Sequence, residues 1–217
     1  MFHPRGGNIF GLEAVSRGEG NIPKGTVGDP DQDILASLRA GDRQAFATLV
    51  NRHKDRAMTY AVRIVRRRED AEEIVQDAFV RAYRSIDSFR GESRLGTWLM
   101  TILHNCCMSH VGRKRAAEVP MDDEGEGPAL TLASEDADPL QLVEESERTA
   151  LLTAQLLRLP TPYRAVLTLF YVQELQYEEI SRVMNLPLGT VKTHLFRARE
   201  RLRKNLLETM RREAALS

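Results

Sequence analysis

The chain has 217 residues, the composition of a globular protein, and equal numbers of basic and acidic residues, 31 of each. Its length accommodates one large domain or two small ones. No apolar run approaches the roughly 18 residues of a membrane span, and the first residues lack the apolar core of a secretory signal. The two cysteines, Cys106 and Cys107, are adjacent, which excludes an ordinary structural disulfide between them. We therefore expect a cytoplasmic protein.

The charge is segregated along the chain, although its net value is zero. Residues 31–115 include 16 basic and 11 acidic residues, and residues 148–217 include 12 basic and six acidic ones. Residues 116–147, between them, include 11 acidic residues and no basic one. Two basic blocks around an acidic segment favour a nucleic-acid partner, with ordinary solvated helix faces as the alternative on charge alone.

Apolar residues recur at helical spacing after residue 30, and residues 1–30 are expected to be a flexible tail. A first stripe ends at Gly41, and Asp42 is placed to cap the next helix. Asp70 opens a third stripe, and a fourth runs from Leu95 to Cys106. No stretch alternates apolar and polar residues long enough to be a strand. The pattern predicts an all-α protein whose first domain is a helical bundle over residues 31–112.

The rest of the chain predicts a linker and a second helical domain. Residues 113–140 are acidic and contain three prolines, so they cannot bury enough apolar surface to fold alone. Residues 141–212 again show helical periodicity and form the predicted second domain. Residues 213–217 are the predicted C-terminal tail.

Within the second domain, residues 177–195 fit a helix-turn-helix. Asn185 tolerates the left-handed conformation that ends a helix. Leu186 fills the elbow, and Val191 and Leu195 place the second helix on the same small core. Basic and polar residues are left outside that core on the second helix, as in helices that read the major groove. The alternative is a surface helix rich in Arg for solubility.

The sequence resembles the extracytoplasmic-function sigma factors, small sigma factors that keep only the second and fourth sigma domains. The resemblance extends from Asp31 to Arg212 and includes both blocks in the same order. The matching segments are residues 41–46, 70–83, 89–93 and 97–99 in the first block, and 159–160, 177–180 and 189–199 in the second. The resemblance implies a transcription initiation factor that directs core RNA polymerase to the −10 and −35 promoter elements of a stress or envelope-response regulon. The sequence has no Gly-rich phosphate loop, paired catalytic carboxylates or nucleophile-base arrangement, so we expect no enzymatic activity and no cofactor or metal.

The resemblance also implies three sets of site residues. The second helix of the helix-turn-helix would read the −35 element in the major groove through Thr190, Lys192, Thr193, His194, Phe196, Arg197 and Arg199. Single-stranded −10 DNA would be held by Phe89, Arg90, Thr101, Asn105, Met108 and Ser109, three of which form a polar row at steps of four. The clamp coiled coil of the largest polymerase subunit would meet Glu72, Glu73, Gln76, Asp77 and Arg81.

Further partners follow from the same resemblance. The flap region of the second-largest polymerase subunit would hold the second domain, and an anti-sigma factor, in some cases membrane-bound, would keep the protein inactive. The acidic linker would thread toward the RNA exit path, or it is a solvated spacer. Met108 and Ser109 stand where relatives often have a basic or amide residue, and Gln176 stands where they often have a hydroxyl residue that caps a helix. We expect the Gln176 cap to be slightly weaker.

Two other functions are considered from the residues themselves. An autonomous repressor would also use a helix-turn-helix, but it normally has a ligand-sensing or dimerising domain, which the first block does not suggest. A metal or redox site could be built on His104, Cys106, Cys107 and His110, with His53 as a further ligand. The three-residue spacing of His104, Cys107 and His110 spreads these side chains around the helix, which argues against convergence on one ion.

Overall fold

The computed structural model describes residues 29–117 and 149–216, and these residues are helical with no strand among them. Residues 1–28 of the predicted tail, residues 118–140 of the predicted linker and residues 141–148 of the predicted second domain lie outside the described residues. The helices are α1 (Gln32–Arg39), α2 (Ala45–Val65), α3 (Arg68–Ser85), α4 (Leu95–Ala117), α5 (149–157), α6 (Thr161–Leu167), α7 (Tyr177–Met184) and α8 (Leu188–Leu216). We call α1–α4 the first module and α5–α8 the second module.

The first module is a bundle in which α2, α3 and α4 pack against one another and α1 packs on α2. Its core follows the apolar stripes of the sequence, with Leu49, Tyr60, Ile64, Leu95 and Leu103 almost fully buried. Burying each of the four aliphatic side chains among them contributes about 1.5–3 kcal/mol, so this core accounts for the fold of the module.

An ionic cluster attaches the start of α1 to the rest of the first module. Asp31 is 1% exposed and contacts His53 Nε2 at 2.8 Å and Arg52 Nη1 at 2.9 Å. Burial works to raise the pKa of Asp31, but the hydrogen bonds and charges of His53 and Arg52 outweigh it and bring the pKa below its usual range. Asp29 Oδ2 accepts the Leu95 N–H at 2.8 Å, so this segment also satisfies the first turn of α4.

The second module is built around α6 and a π-helical turn over Thr168–Val172 that continues it. Both lead to the helix-turn-helix formed by α7 and the start of α8. Arg164, on α6, is 3% exposed and donates to the carbonyl oxygens of Leu157 at 2.9 Å and Leu159 at 2.8 Å. These bonds satisfy carbonyl groups that the end of α5 leaves without an intrahelical partner.

Three helix boundaries differ from the sequence expectation. Helix α8 continues to Leu216, through most of the predicted C-terminal tail at 213–217, because Ala214 and Ala215 are strong helix formers. Helix α3 begins at Arg68 rather than at Asp70, because Arg66 adopts the left-handed conformation (φ 68°) and reverses the chain just after α2. Helix α4 continues to Ala117, into the predicted linker, because Arg113, Lys114 and Arg115 are good helix formers on an exposed face. The all-α fold itself is confirmed.

The two modules touch, a contact that the sequence does not predict. Helix α4 packs against α7, and α2 packs against α6 and the π-helical turn. In the part of the chain that the structure describes, no helix combines the length and the apolar character needed to cross a lipid bilayer.

Candidate nucleic-acid interface

The helix-turn-helix has the local geometry that its sequence predicts. Asn185 ends α7 in the left-handed conformation, with φ 51° and ψ 48°. The Ser181 hydroxyl donates to the Leu186 carbonyl and closes the elbow. At the start of α7, the Glu179 carboxylate accepts the Gln176 N–H at 3.0 Å, so the third residue of the helix supplies a cap without a hydroxyl at Gln176.

Helix α8 presents one face to solvent and the other to the rest of the second module. Val191, Leu195 and Ala198 are buried. The opposite face exposes four of the predicted −35 residues, Lys192, Thr193, Phe196 and Arg197. Phe196 is 66% exposed, and no core contact explains an aromatic side chain at this position. The exposed face therefore combines cations, a hydroxyl and an apolar ring, the groups that contact phosphates, base edges and thymine methyls.

The other three predicted −35 residues, Thr190, His194 and Arg199, are half-buried. The Arg199 guanidinium lies over the rings of Phe170 and Tyr171, 5.3 Å and 5.4 Å from their centroids. His194 meets the Tyr163 ring edge-on at 5.6 Å. These contacts tie Arg199 and His194 to the core of the second module, so the exposed four are the stronger candidates for DNA contact.

The predicted −10 residues lie on α4 and in the loop before it. Asn105 and Ser109 are exposed, while Thr101 and Met108 are half-buried. The Thr101 hydroxyl donates to the Thr97 carbonyl at 3.0 Å, and the Ser109 hydroxyl donates to the Asn105 carbonyl at 2.8 Å. The lone pairs of both hydroxyl oxygens and the Asn105 amide remain available for hydrogen bonds with a ligand. The polar row predicted from the spacing is therefore present on the surface of α4.

The loop before α4 places its two predicted residues differently. Arg90 is exposed, whereas Phe89 is 8% exposed and packs against Trp98 with ring centroids 5.3 Å apart. Trp98 is partly buried against the core. Phe89 thus supports Trp98 from inside, and Arg90 is the loop residue with access to a nucleotide.

Helix α3 presents the predicted polymerase-binding residues on one exposed face. Glu72, Glu73, Gln76, Asp77 and Arg81 are all exposed. Two ion pairs at one-turn spacing orient part of this exposed face. They join Arg68 to Glu72 at 3.0 Å and Arg81 to Asp77 at 2.8 Å.

Val80 lies on the same helix and is 45% exposed. Val80 is not among the polymerase-binding residues predicted from the sequence. Its position one turn from Gln76 and Asp77 is the signal that could have identified it.

The residues considered for a metal or redox site lie in different environments. Cys107 is fully buried, and burial raises the pKa of its thiol to about 12, which suppresses the reactive thiolate. Burial also lowers the pKa of His104 to about 4, and its Nδ1 accepts the Tyr60 hydroxyl at 2.6 Å. His110 faces Asp70 at 3.3 Å. Among the residues that the structure describes, no three His, Cys, Asp or Glu side chains form a group able to hold a metal ion.

Comparison with known proteins identifies the family to which the two modules belong. Residues 49–117 match the family model of sigma-70 region 2, and residues 149–202 match that of sigma-70 region 4. The chain is 37% identical to the ECF RNA polymerase sigma factor SigW of Bacillus subtilis (strain 168), over 79% of this chain and 94% of that protein. The chain belongs to the extracytoplasmic-function (ECF) sigma factors.

Further relatives agree with this membership. The ECF sigma-E factor of Escherichia coli (strain K12) is 33% identical over 84% of this chain and 97% of its own. Among solved structures, the sigma factor RpoE of Bartonella quintana, crystallised with the anti-sigma factor NepR, is 26% identical and has a TM-score of 0.58, covering 74% of this sigma factor and 96% of that chain. The expectation of a non-enzymatic transcription initiation factor is thereby confirmed.

The structure of this sigma factor also reveals functional candidates that sequence reasoning missed. Thr97 precedes the polar row of α4 by one turn, is 3% exposed, and donates to Glu179 of α7 at 2.7 Å. Arg56 of α2 reaches Gln173 at the end of the π-helical turn, with Nε 3.2 Å from Oε1. No local pattern marks these residues, because each partner lies in the other module.

Proposed function

We propose that this ECF sigma factor reads two promoter elements with separate surfaces, the −35 element with the outer face of α8 and the melted −10 element with the polar row of α4. The observation that supports this proposal is the exposure of both surfaces in one chain. On α8 the cations Lys192 and Arg197 flank Phe196, and on α4 the Asn105 amide can both donate to and accept from a base edge.

The test is transcription initiation by purified core RNA polymerase with the full chain on a pool of genomic promoter fragments. We expect start sites that share two sequence elements and that require the chain. Lys192→Ala and Arg197→Ala should each reduce initiation about 5- to 100-fold, the range for a lost base or phosphate contact. Arg158→Ala removes an exposed cation of the second module that is not part of α8 and should leave initiation unchanged. Equal effects of all three variants would contradict the assignment of α8.

We propose further that the exposed face of α3 binds the clamp coiled coil of the largest polymerase subunit, and that the second module binds the flap region of the second-largest subunit. On α3, Val80 provides an apolar centre, and Asp77 and Arg81 are part of the polar rim, the arrangement of a small binding hot spot.

The α3 surface is tested with Val80→Asp, which places a charge at the centre of the contact. The affinity for core polymerase should fall about tenfold or more, without loss of helical content, because Val80 is exposed. Ala47→Asp adds the same charge at an exposed position of α2 and serves as the matched control. Unchanged affinity of Val80→Asp would exclude α3 as the docking surface.

We also propose control by an anti-sigma factor, in the cytoplasm or at the inner membrane. The support is the relationship to a sigma factor solved with such a partner and the exposure of the α3 and α8 faces. Affinity capture from the native cell extract should recover a protein that, once purified, prevents binding of the chain to core polymerase. Recovery of polymerase subunits alone would contradict this part of the proposal.

A further inference from the structure

Two arginines of α8 lie against aromatic rings of the second module. The Arg199 guanidinium lies over both Phe170 and Tyr171, whose rings meet at 89° with centroids 4.8 Å apart, so it occupies the corner between two perpendicular rings. The Arg201 guanidinium lies over the Tyr163 ring, 5.6 Å from its centroid. Such a contact holds the cation at the negative face of the ring and leaves N–H groups to donate elsewhere. We call Arg199 and Arg201 the stacked pair.

The stacked pair differs from the next basic residues of α8 in how its charge is compensated. Arg203 pairs with Glu200 and Lys204 pairs with Glu208, each at 3.9 Å. Within residues 29–117 and 149–216, no carboxylate forms an ion pair with either member of the stacked pair. The rings hold these two guanidinium groups without neutralising them, so an anion is their complementary ligand.

The stacked pair borders the exposed face of α8 on both sides. At 3.6 residues per turn, Arg199 and Arg201 project roughly 200° apart around the helix axis. Phe196 and Arg197, which are exposed, project between them on the solvent side. Arg201 is itself exposed and Arg199 is half-buried, so both reach the surface. The face that carries the exposed −35 candidates is therefore flanked by one fixed cation on each side.

Duplex DNA has the shape and charge that this arrangement requires. The major groove is about 12 Å wide and admits one α-helix, and its two walls are the phosphate backbones of the two strands. A helix that turns its outer face to the base edges therefore directs its two flanks to opposite strands. Arginine suits the walls, because its planar fork binds two phosphate oxygens at once.

We propose that Arg199 and Arg201 bind phosphates on opposite strands of the −35 duplex, and that Tyr171 and Tyr163 are positioning residues that hold the two guanidinium groups for this contact. The inference rests on the proposed reading of the −35 element by α8, to which it adds the contacts that fix the helix in the groove. The stacked pair binds the backbone of any sequence, whereas the outer face distinguishes sequences. Side chains held in place before DNA binds lose less entropy on binding.

The first measurement is the salt dependence of duplex binding by core polymerase with the full chain. Two fluorescent duplexes are compared, a promoter found in the initiation assay and the same duplex with a scrambled −35 element. Arg201→Gln should make the slope of log K against log salt less steep by about 0.9, the value for one phosphate contact. It should also weaken binding to both duplexes about 5- to 10-fold at physiological salt, because the lost contact is independent of sequence.

Arg199→Gln should give the same result as Arg201→Gln. The matched control is Arg212→Gln, which removes an exposed cation from the same side of α8 as Arg201, about three turns farther along the helix. Arg212→Gln should bind as the unsubstituted protein does. Equal slopes for Arg201→Gln and Arg212→Gln would overturn the phosphate contact of Arg201.

The second measurement separates positioning from folding by double-mutant cycles. Tyr163→Leu removes the ring under Arg201, whereas Tyr163→Phe keeps it. Tyr163→Leu should weaken binding to both duplexes about 2- to 5-fold and have no further effect in the Arg201→Gln background, because the ring acts through that arginine. Tyr163→Phe should bind normally. Tyr171→Leu and Tyr171→Phe give the same comparison with Arg199→Gln. Equal losses from a leucine variant in both backgrounds would overturn the positioning role of its ring.

The third measurement assigns the strands. Neutral methylphosphonate linkages are placed across the −35 element of one strand or the other. Arg199→Gln should lose its sensitivity to neutralisation of one strand, and Arg201→Gln should lose its sensitivity to neutralisation of the other. Loss of sensitivity to the same strand in both variants would overturn the placement on opposite strands.

The two duplexes distinguish failure of this inference from failure of the proposed function. Equal affinity of the unsubstituted protein for both duplexes would exclude reading of the −35 element by α8, while the slope for Arg201→Gln still reports whether the phosphate contact exists. Unchanged slopes in both arginine variants, together with normal discrimination between the duplexes, would overturn the stacked pair and leave −35 reading intact.

Discussion

A buried imidazole in α4 should make the stability of the protein depend on pH. His104 is 5% exposed and accepts the Tyr60 hydroxyl through Nδ1. Burial lowers the pKa of His104 from 6.5 to about 4. Tyr60 and Cys107 lie nearby, and burial raises the pKa of both, so neither titrates below pH 8. His104 thus stays neutral in the folded protein at pH values where the unfolded chain binds a proton.

The size of the effect follows from the two pKa values. Well above pH 6.5, His104 is neutral in both states and its contribution to stability is fully present. Between pH 6.5 and about 4 only the unfolded state gains the proton, so the free energy of unfolding falls by about 1.4 kcal/mol per pH unit. From pH 8 to pH 5 the loss from this group is about 2 kcal/mol.

His104→Asn isolates this contribution, because the Asn oxygen can accept the Tyr60 hydroxyl in place of Nδ1 and does not titrate. Both proteins are unfolded with urea at a series of pH values, and the loss of helical circular dichroism gives the free energy of unfolding. All other titrating groups are shared and cancel in the difference between the two proteins. The advantage of the unsubstituted protein should shrink by about 2 kcal/mol from pH 8 to pH 5. A difference that is constant with pH would refute the buried, neutral state of His104.

Three further predictions concern single positions. Asn185→Ala should lower the free energy of unfolding by about 1 kcal/mol, because φ is 51° at this position, whereas Asn185→Gly should be close to neutral; urea unfolding distinguishes them. Gly96→Ala should lower the free energy of unfolding by about 1 kcal/mol, because the new Cβ would lie 2.9 Å from His53 Cε1, which Asp31 holds in place. This strain exceeds the gain in helix propensity. Thermal unfolding measures the change in stability, and a raised Tm would contradict the prediction. Phe196→Ala should leave the Tm within about 1–2 °C of the unsubstituted protein, because the ring is 66% exposed. The same variant should reduce initiation at promoters with a −35 element. An equal loss at promoters without that element would exclude a role of Phe196 in −35 reading.

Much of the fold follows from local sequence pattern. Apolar residues at helical spacing identified α1–α4, and the αL position at Asn185 marked the turn of the helix-turn-helix. The exposed faces of α3 and α8 followed as the complement of the buried stripes. These features are readable because helix formation and capping depend on residues within a few positions of one another.

The joining of the modules was decided only by the tertiary structure. Arg56 and Gln173 are 117 residues apart, and Thr97 and Glu179 are 82 apart, so no periodicity links them. In sequence Arg56 is one more cation on a polar helix face, and Gln173 gives no sign of being buried. The contacts of Arg199 with Phe170 and of Phe89 with Trp98 likewise follow from no local sequence pattern. Side-chain partners across a boundary depend on three-dimensional placement, whereas the identity of each helix depends on its own neighbours.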